Sequence, residues 1–177
     1  MKKATISSLF WKLFELGGSS VITLLVQIVM ARLLAPDEFG MLAIMLVFVN
    51  IGNVIVQSGL NTAIIQSPDA TERDYSTVFW MSLTMSVVLY GVSFVLAPAV
   101  AAFYDAPAIV APLRVLVLIL IVNAYNAVQE AIVARSMDFR KTARATVTAG
   151  VVSGAAGIAS ALAGAGIWAL VIQQIGR

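Results

Sequence analysis

The 177-residue chain contains neither cysteine nor histidine. Disulfides, thiolate nucleophiles, Cys/His zinc sites, haem ligation through histidine and histidine-dependent triads are thereby excluded. Charge is scarce as well. Charged residues make up 11% of the chain, against about 25% in an ordinary soluble domain. So few charges cannot cover the surface of a water-soluble fold. Nor does the sequence hold a phosphate-cradling loop, a metal-spaced carboxylate cluster or a nucleophile elbow. No catalytic residue, metal site or cofactor is expected, and the loops are too short to house an active site, so the chain is not read as an enzyme.

What is present is apolar. Hydrophobic residues occupy 60% of positions and the mean hydropathy is +0.96, which places the chain in a membrane. The pI near 9.2 reflects few acids rather than a basic domain, since the net charge is only +2. The N-terminal stretch starts like a secretory signal. Lys12 and Glu15 interrupt its apolar region and no A-x-A-like cleavage site follows, so it reads as a retained first membrane helix.

Charge-free windows run over 16–31, 39–68, 75–104, 115–129 and 145–176. A helix needs ~20 residues to cross ~30 Å of hydrocarbon. Spans in lipid must pair their own backbone groups, and windows this long are too long for barrel strands. The expected architecture is therefore all-α and integral to the membrane. Five transmembrane helices are placed near 10–34, 39–65, 76–102, 108–134 and 143–163, and Gly164-Ala165-Gly166 turns into the start of a sixth over 167–177. Those last residues would rise only ~16 Å as helix. The reading thus expects an N-terminal fragment of a longer protein, treated as one transmembrane region over 1–177.

Basic residues set the expected orientation. Lys2, Lys3, Arg73, Arg135, Arg140, Lys141 and Arg144 fall on one side, Arg32 and Arg114 on the other. The positive-inside rule makes the richer side cytoplasmic, with the N-terminus inside. The decapeptide "ARLLAPDEFG" (31–40) then becomes an outside turn. Arg32 suits a helix C-terminus and Asp37 and Glu38 suit the next N-terminus, where Pro36 can take the first helical position. The basic run 134–144 reads as a loop facing lipid headgroups, not as a nucleic-acid contact.

Polar residues inside the spans are the candidates for function. Lys12, Glu15, Ser19, Thr23 and Gln27 fall within about 120° on the first helix. Asn50, Asn53, Gln57 and Asn61, spaced 3, 4 and 4, form a narrow amide stripe on the second. The third helix carries Ser82, Ser86, Tyr90 and Ser93. The fourth has Asn123, Asn126 and Glu130 on one face, with Arg114, Tyr125 and Gln129 on another. Such groups cannot face lipid unpaired. They either bond across helices or line a polar cavity, and the amide stripe is compatible with both. For the serines and threonines, bonding across helices is the expected role. The Lys12–Glu15 pair, at i and i+3, can neutralise itself on one helix or serve the cavity. On the fifth helix, Gly150, Gly154, Gly157 and Ala161 share a face that permits close helix packing. Pro98 is expected to kink or end the third helix.

Four segments, "ARLLAPDEFG" (31–40), "SGLNTAIIQ" (58–66), "RSMDFRK" (135–141) and "GAGIWALVIQQ" (164–174), together resemble the polysaccharide transporter family. These are lipid-linked oligosaccharide flippases, O-antigen flippases among them, of the multidrug/oligosaccharidyl-lipid/polysaccharide exporter superfamily. The resemblance implies most of the N-terminal lobe of a two-lobe flippase in the bacterial cytoplasmic (inner) membrane. Such a protein would move a polyprenyl-diphosphate sugar by alternating access, for lipopolysaccharide or exopolysaccharide biosynthesis, with a C-terminal lobe as partner. Amides suit sugar hydroxyls and cations suit a diphosphate. The substrate-path candidates are accordingly Lys12, Glu15, Gln27, Arg32, Asn50, Asn53, Gln57, Asn61, Arg114, Asn126 and Glu130. Partners implied are membrane lipid, the lipid-linked oligosaccharide and a coupling cation, proton or sodium. Two other readings stay open: a cation-coupled multidrug exporter using Glu15 or Glu130, and a non-transporting membrane scaffold subunit.

Overall fold

A computed structural model describes residues 2–57, 72–126 and 139–176. Among them there is helix and turn but no strand. The helices are α1 (Lys2–Leu33), α2 (Pro36–Gln57), α3 (Glu72–Phe103), α4 (Val110–Leu116), α5 (Phe139–Leu162) and α6 (Ile167–Ile175). A 3-10 turn, Pro107–Ile109, leads into α4, and helix resumes over 119–126. Four segments, Pro36–Val56, Ser76–Phe103, Pro107–Asn126 and Thr142–Leu162, are long and apolar enough to cross a membrane, and Gly17–Leu33 is a shorter apolar helix. The chain is an all-α, multi-pass membrane protein.

Helix ends follow from local chemistry. Pro36 opens α2 at a position whose N–H would be unpaired anyway, and Asp37 and Glu38 occupy its positive first turn. α5 closes on Gly164 at φ 79°, with Ala165 N–H donating to Ser160 O and Gly164 N–H to Ala161 O. α3 closes the same way on Asp105 at φ 51°, where Ala106 N–H donates to Ala101 O at 2.9 Å. Aspartate is among the few non-glycine residues that visit this left-handed region readily.

α2, α3 and α5 start three or four residues ahead of the expected bounds, and the first and fourth helices depart further. α1 starts at Lys2 rather than near residue 10, because no breaker precedes Gly17. α3 runs through Pro98 to Phe103, one residue past the expected end, so the proline does not end the helix, which the alanine-rich residues after it continue. The fourth helix is not one rod. After Leu116 its hydrogen bonds shorten to three-residue steps, Leu118 N–H to Val115 O, Leu120 N–H to Val117 O and Ile121 N–H to Leu118 O. No glycine or proline marks that break. The ends expected at 65 and 134 lie outside the described residues.

By contacts the chain divides into two units, which are taken separately. In the first, the described parts of 1–42 and 136–177, α1 and α6 both pack along α5. Two glycines of α5, Gly154 and Gly157, permit the close approach, whereas Gly150 would tolerate a side chain at ordinary contact. A methyl group on Gly150 would stand 3.7 Å from Ile22 Cγ2, and one on Gly154 only 2.5 Å from Val26 Cγ2. On Gly157 it would stand 3.0 Å from Gln173 Cβ and 3.2 Å from the Ala169 carbonyl. The core here is Val26, Met30, Ala161, Ala169 and Leu170, flanked by Ile22, Leu34, Phe39, Leu42 and Ile158. In the second unit, within 43–135, α3 packs on the 3-10 turn and α4. Gly52 of α2 receives Leu120, whose Cδ1 lies 2.6 Å from where a Cβ would sit.

Candidate functional site

The amides of α2 do not share one environment. Asn53 is half-buried, and its Oδ1 accepts a 2.9 Å hydrogen bond from Nδ2 of Asn123. Gly52 lets the two helices come this close, so the neighbouring Asn53 can reach Asn123. Asn50, one turn earlier, is exposed beside the exposed apolar side chains of Val47, Ile51 and Val54. Asn126 is exposed as well. Thus the structure ties Asn53 to Asn123 and leaves Asn50 and Asn126 facing outward from their unit. Gln57 ends α2, while Asn61 and Glu130 fall outside the described residues.

In the other unit Gln27 is exposed on α1, and Arg32 is exposed in that helix's last turn, where a cation meets the negative end of the dipole. Lys12 and Glu15 lie in the first half of α1. Glu38, beside the turn, closes one helix start and lies against the start of another. Its Oε2 accepts the Ala35 N–H at 3.0 Å, closing the start of α2. Its Oε1 lies 2.6 Å from where a Cβ would stand on Gly166, which precedes α6 at φ 57° and ψ −132°. Two segments of the resemblance, 31–40 and 164–174, therefore meet at one carboxylate.

Thr23 and Ser86, expected to bond across helices, bond along them instead, as do Ser153 and Ser160 of α5. Thr23 donates to Ser19 O, Ser86 to Leu83 O, Ser153 to Gly150 O and Ser160 to Ala156 O. A short side chain reaches the carbonyl one turn back more easily than a neighbouring helix.

Two side chains carry arrangements that residue periodicity did not signal. Gln173 of α6 is buried against Gly157 of α5; its signal was a polar position opposite a small-residue face. Arg114, in the last turn of α4, donates Nε–H to the carbonyl of Phe94 at 3.3 Å and lays its guanidinium 4.0 Å over that residue's ring. Its signal was the proline four residues after Phe94. Two open grooves of about 380 and 370 Å³ lie along α3, one lined by Trp80, Met81, Thr84, Met85 and Val88, the other by residues including Phe48, Phe103 and Tyr104. Both are apolar and neither contains a substrate-path candidate. Among the described residues no group of acids is placed to hold a metal ion.

A family described as polysaccharide biosynthesis protein matches residues 29–177. The chain belongs to that family. It is 26% identical over 171 residues to the succinoglycan biosynthesis transport protein ExoT of Rhizobium meliloti, covering 97% of this chain and 35% of that protein. Lipopolysaccharide biosynthesis protein WzxC of Escherichia coli is 21% identical over 175 residues, 99% of this chain and 35% of its own length. Teichuronic acid biosynthesis protein TuaB of Bacillus subtilis is 25% identical over 100 residues, 56% of this chain and 21% of TuaB. The chain spans about a third of the length of the first two relatives. No solved structure matches.

Proposed function

We propose that the chain is part of a transporter that carries a lipid-linked oligosaccharide across the bacterial cytoplasmic membrane for polysaccharide biosynthesis. The observation that carries this reading is the similarity, over 97% of this chain and 35% of the relative, to a protein named for succinoglycan biosynthesis transport. The relative named for lipopolysaccharide biosynthesis supports it.

The physics of the substrate fits. The head of a polyprenyl-linked sugar is too polar for hydrocarbon, whereas its tail can remain in the bilayer throughout. A carrier therefore has to supply hydrogen-bonding groups along a path inside the membrane. Asn50 stands exposed on an apolar span and Gln27 on a shorter apolar helix, where an unpaired amide facing lipid is costly. In this reading they face the sugar path, Asn126 joins them, and Arg32 meets the diphosphate. Alternating access would expose that path first to one side and then to the other, with the N-terminus cytoplasmic.

The test is export of polysaccharide in a strain lacking its own flippase, complemented by the protein expressed from its own gene. Wild-type protein should restore export, and Asn50→Leu should reduce it at unchanged protein level. No export from wild-type protein present at normal level in the membrane would refute the reading.

A further inference from the structure

Pro98 has no N–H, and in an α-helix that N–H would have bonded the carbonyl of Phe94. The Phe94 carbonyl is thus left without its helical partner. It finds Arg114 instead, through Nε at 3.3 Å, while the guanidinium plane covers the Phe94 ring at 4.0 Å. A charge-assisted bond and a cation–π contact from one side chain converge on one residue.

Arg114 lies just before a second discontinuity. The regular hydrogen-bond ladder of α4 ends after Leu116 and gives way to the three-residue steps at 117–121. Residues 98–116 are accordingly a helical hairpin bounded at both ends by interrupted ladders. It comprises the end of α3, the turn through Asp105, the 3-10 turn and α4. Between the two interruptions the parts pack on one another. We infer that this hairpin pivots about Pro98 and Val117–Leu118, and that Arg114 is the latch fastening it to the stem of α3 at Phe94.

The reason is energetic. A helix bends most easily where a ladder bond is missing, because bending there breaks nothing further. Two such points in antiparallel neighbours allow one segment to swing while both stems stay in place. The polar tie that Arg114 makes from the swinging segment to the stem then helps to decide its position. Arginine suits this task better than lysine, since its planar fork can donate and stack at once. The inference rests on the alternating-access reading, for which such a hairpin supplies a moving part. In this reading Arg114 is a positioning residue rather than a diphosphate contact.

The test is hydrogen–deuterium exchange of the protein expressed from its own gene, in lipid nanodiscs. Arg114→Met should speed exchange about tenfold in residues 99–105 and 115–121, the scale expected for losing a hydrogen bond to a charged group. Peptides from α5 should not change. Pro98→Ala restores the N–H that pairs with Phe94, so it should suppress the Arg114→Met effect; Arg114→Lys should fall between wild type and Arg114→Met. Unchanged exchange in Arg114→Met, acceleration spread equally into α5, or failure of Pro98→Ala to suppress it would each overturn the latch. If Arg114→Met does not accumulate, Arg114→Lys carries the same comparison with the same outcomes. A localised, suppressible change in a protein that supports no export leaves the latch standing and removes the transport reading. Export without that change does the reverse.

Discussion

Asn50 and Asn53 are three residues apart on one helix, yet their surroundings separate them. Asn53 is bonded to Asn123, and its replacement by leucine leaves that partner's amide without an acceptor. Asn53→Leu should lower thermal stability by about 0.6–1.7 kcal/mol, the range of side-chain bonds between membrane helices. Asn53→Leu with Asn123→Leu should recover part of this loss, because both polar groups are then gone. A double-mutant cycle on detergent-solubilised protein checks it, and additive losses would contradict the bond. Asn50→Leu should instead leave stability unchanged and lower export. The spacing 3, 4 and 4 made the stripe legible in the sequence, since period alone puts the amides on one face. It could not divide the stripe, because only the approach of helix 119–126 over Gly52 decides which amide is reached. Thr23 and Ser86 bond along their helices for a related reason. Their nearest acceptor lies on their own helix, whatever the neighbours do.

At the scale of elements, the glycines of α5 seat α1 and α6, and the cost of filling each depends on what lies opposite. Gly157 faces the Ala169 backbone and the stem of Gln173, neither of which can move aside cheaply. Gly157→Val should destabilise by about 1–3 kcal/mol, as overpacking usually does. Gly164 should be insensitive to its neighbours, since nothing lies within 4 Å, though its left-handed φ still disfavours a side chain. At Gly166 both penalties combine, because its φ of 57° with ψ −132° is glycine territory and Glu38 occupies the space of a Cβ. Gly166→Ala should cost about 1–3 kcal/mol, measured as a lowered melting temperature. An unchanged melting temperature for either variant would contradict the packing described. The small-residue face and the turn at 164–166 were legible from residue type alone. The break at 117–118 was not, for its sequence is an unbroken apolar run and the departure from α-geometry is a matter of packing.

For the whole molecule the testable statement is topology. With the N-terminus inside, residues 35–38 and 103–107 face outside. The chain has no native cysteine, so Asp37→Cys or Asp105→Cys gives a single reporter. Both should react with a membrane-impermeant maleimide applied to intact spheroplasts, and reaction only from inverted vesicles would reverse the map. The joint at Glu38 also bears on biogenesis. Glu38 and Gly166 are brought together by the fold but are made at different times. At a ribosomal rate of about 5–20 residues per second, roughly 6–26 seconds separate their synthesis. Through that interval the start of α2 can be capped by its own glutamate, a purely local act, while α1 has none of its α5 seat. α1 therefore waits in the bilayer with Val26 and Met30 against lipid. α1 is packed against α5 only after that wait, and a translocon or insertase that holds α1 until α5 arrives would be guarding a late contact.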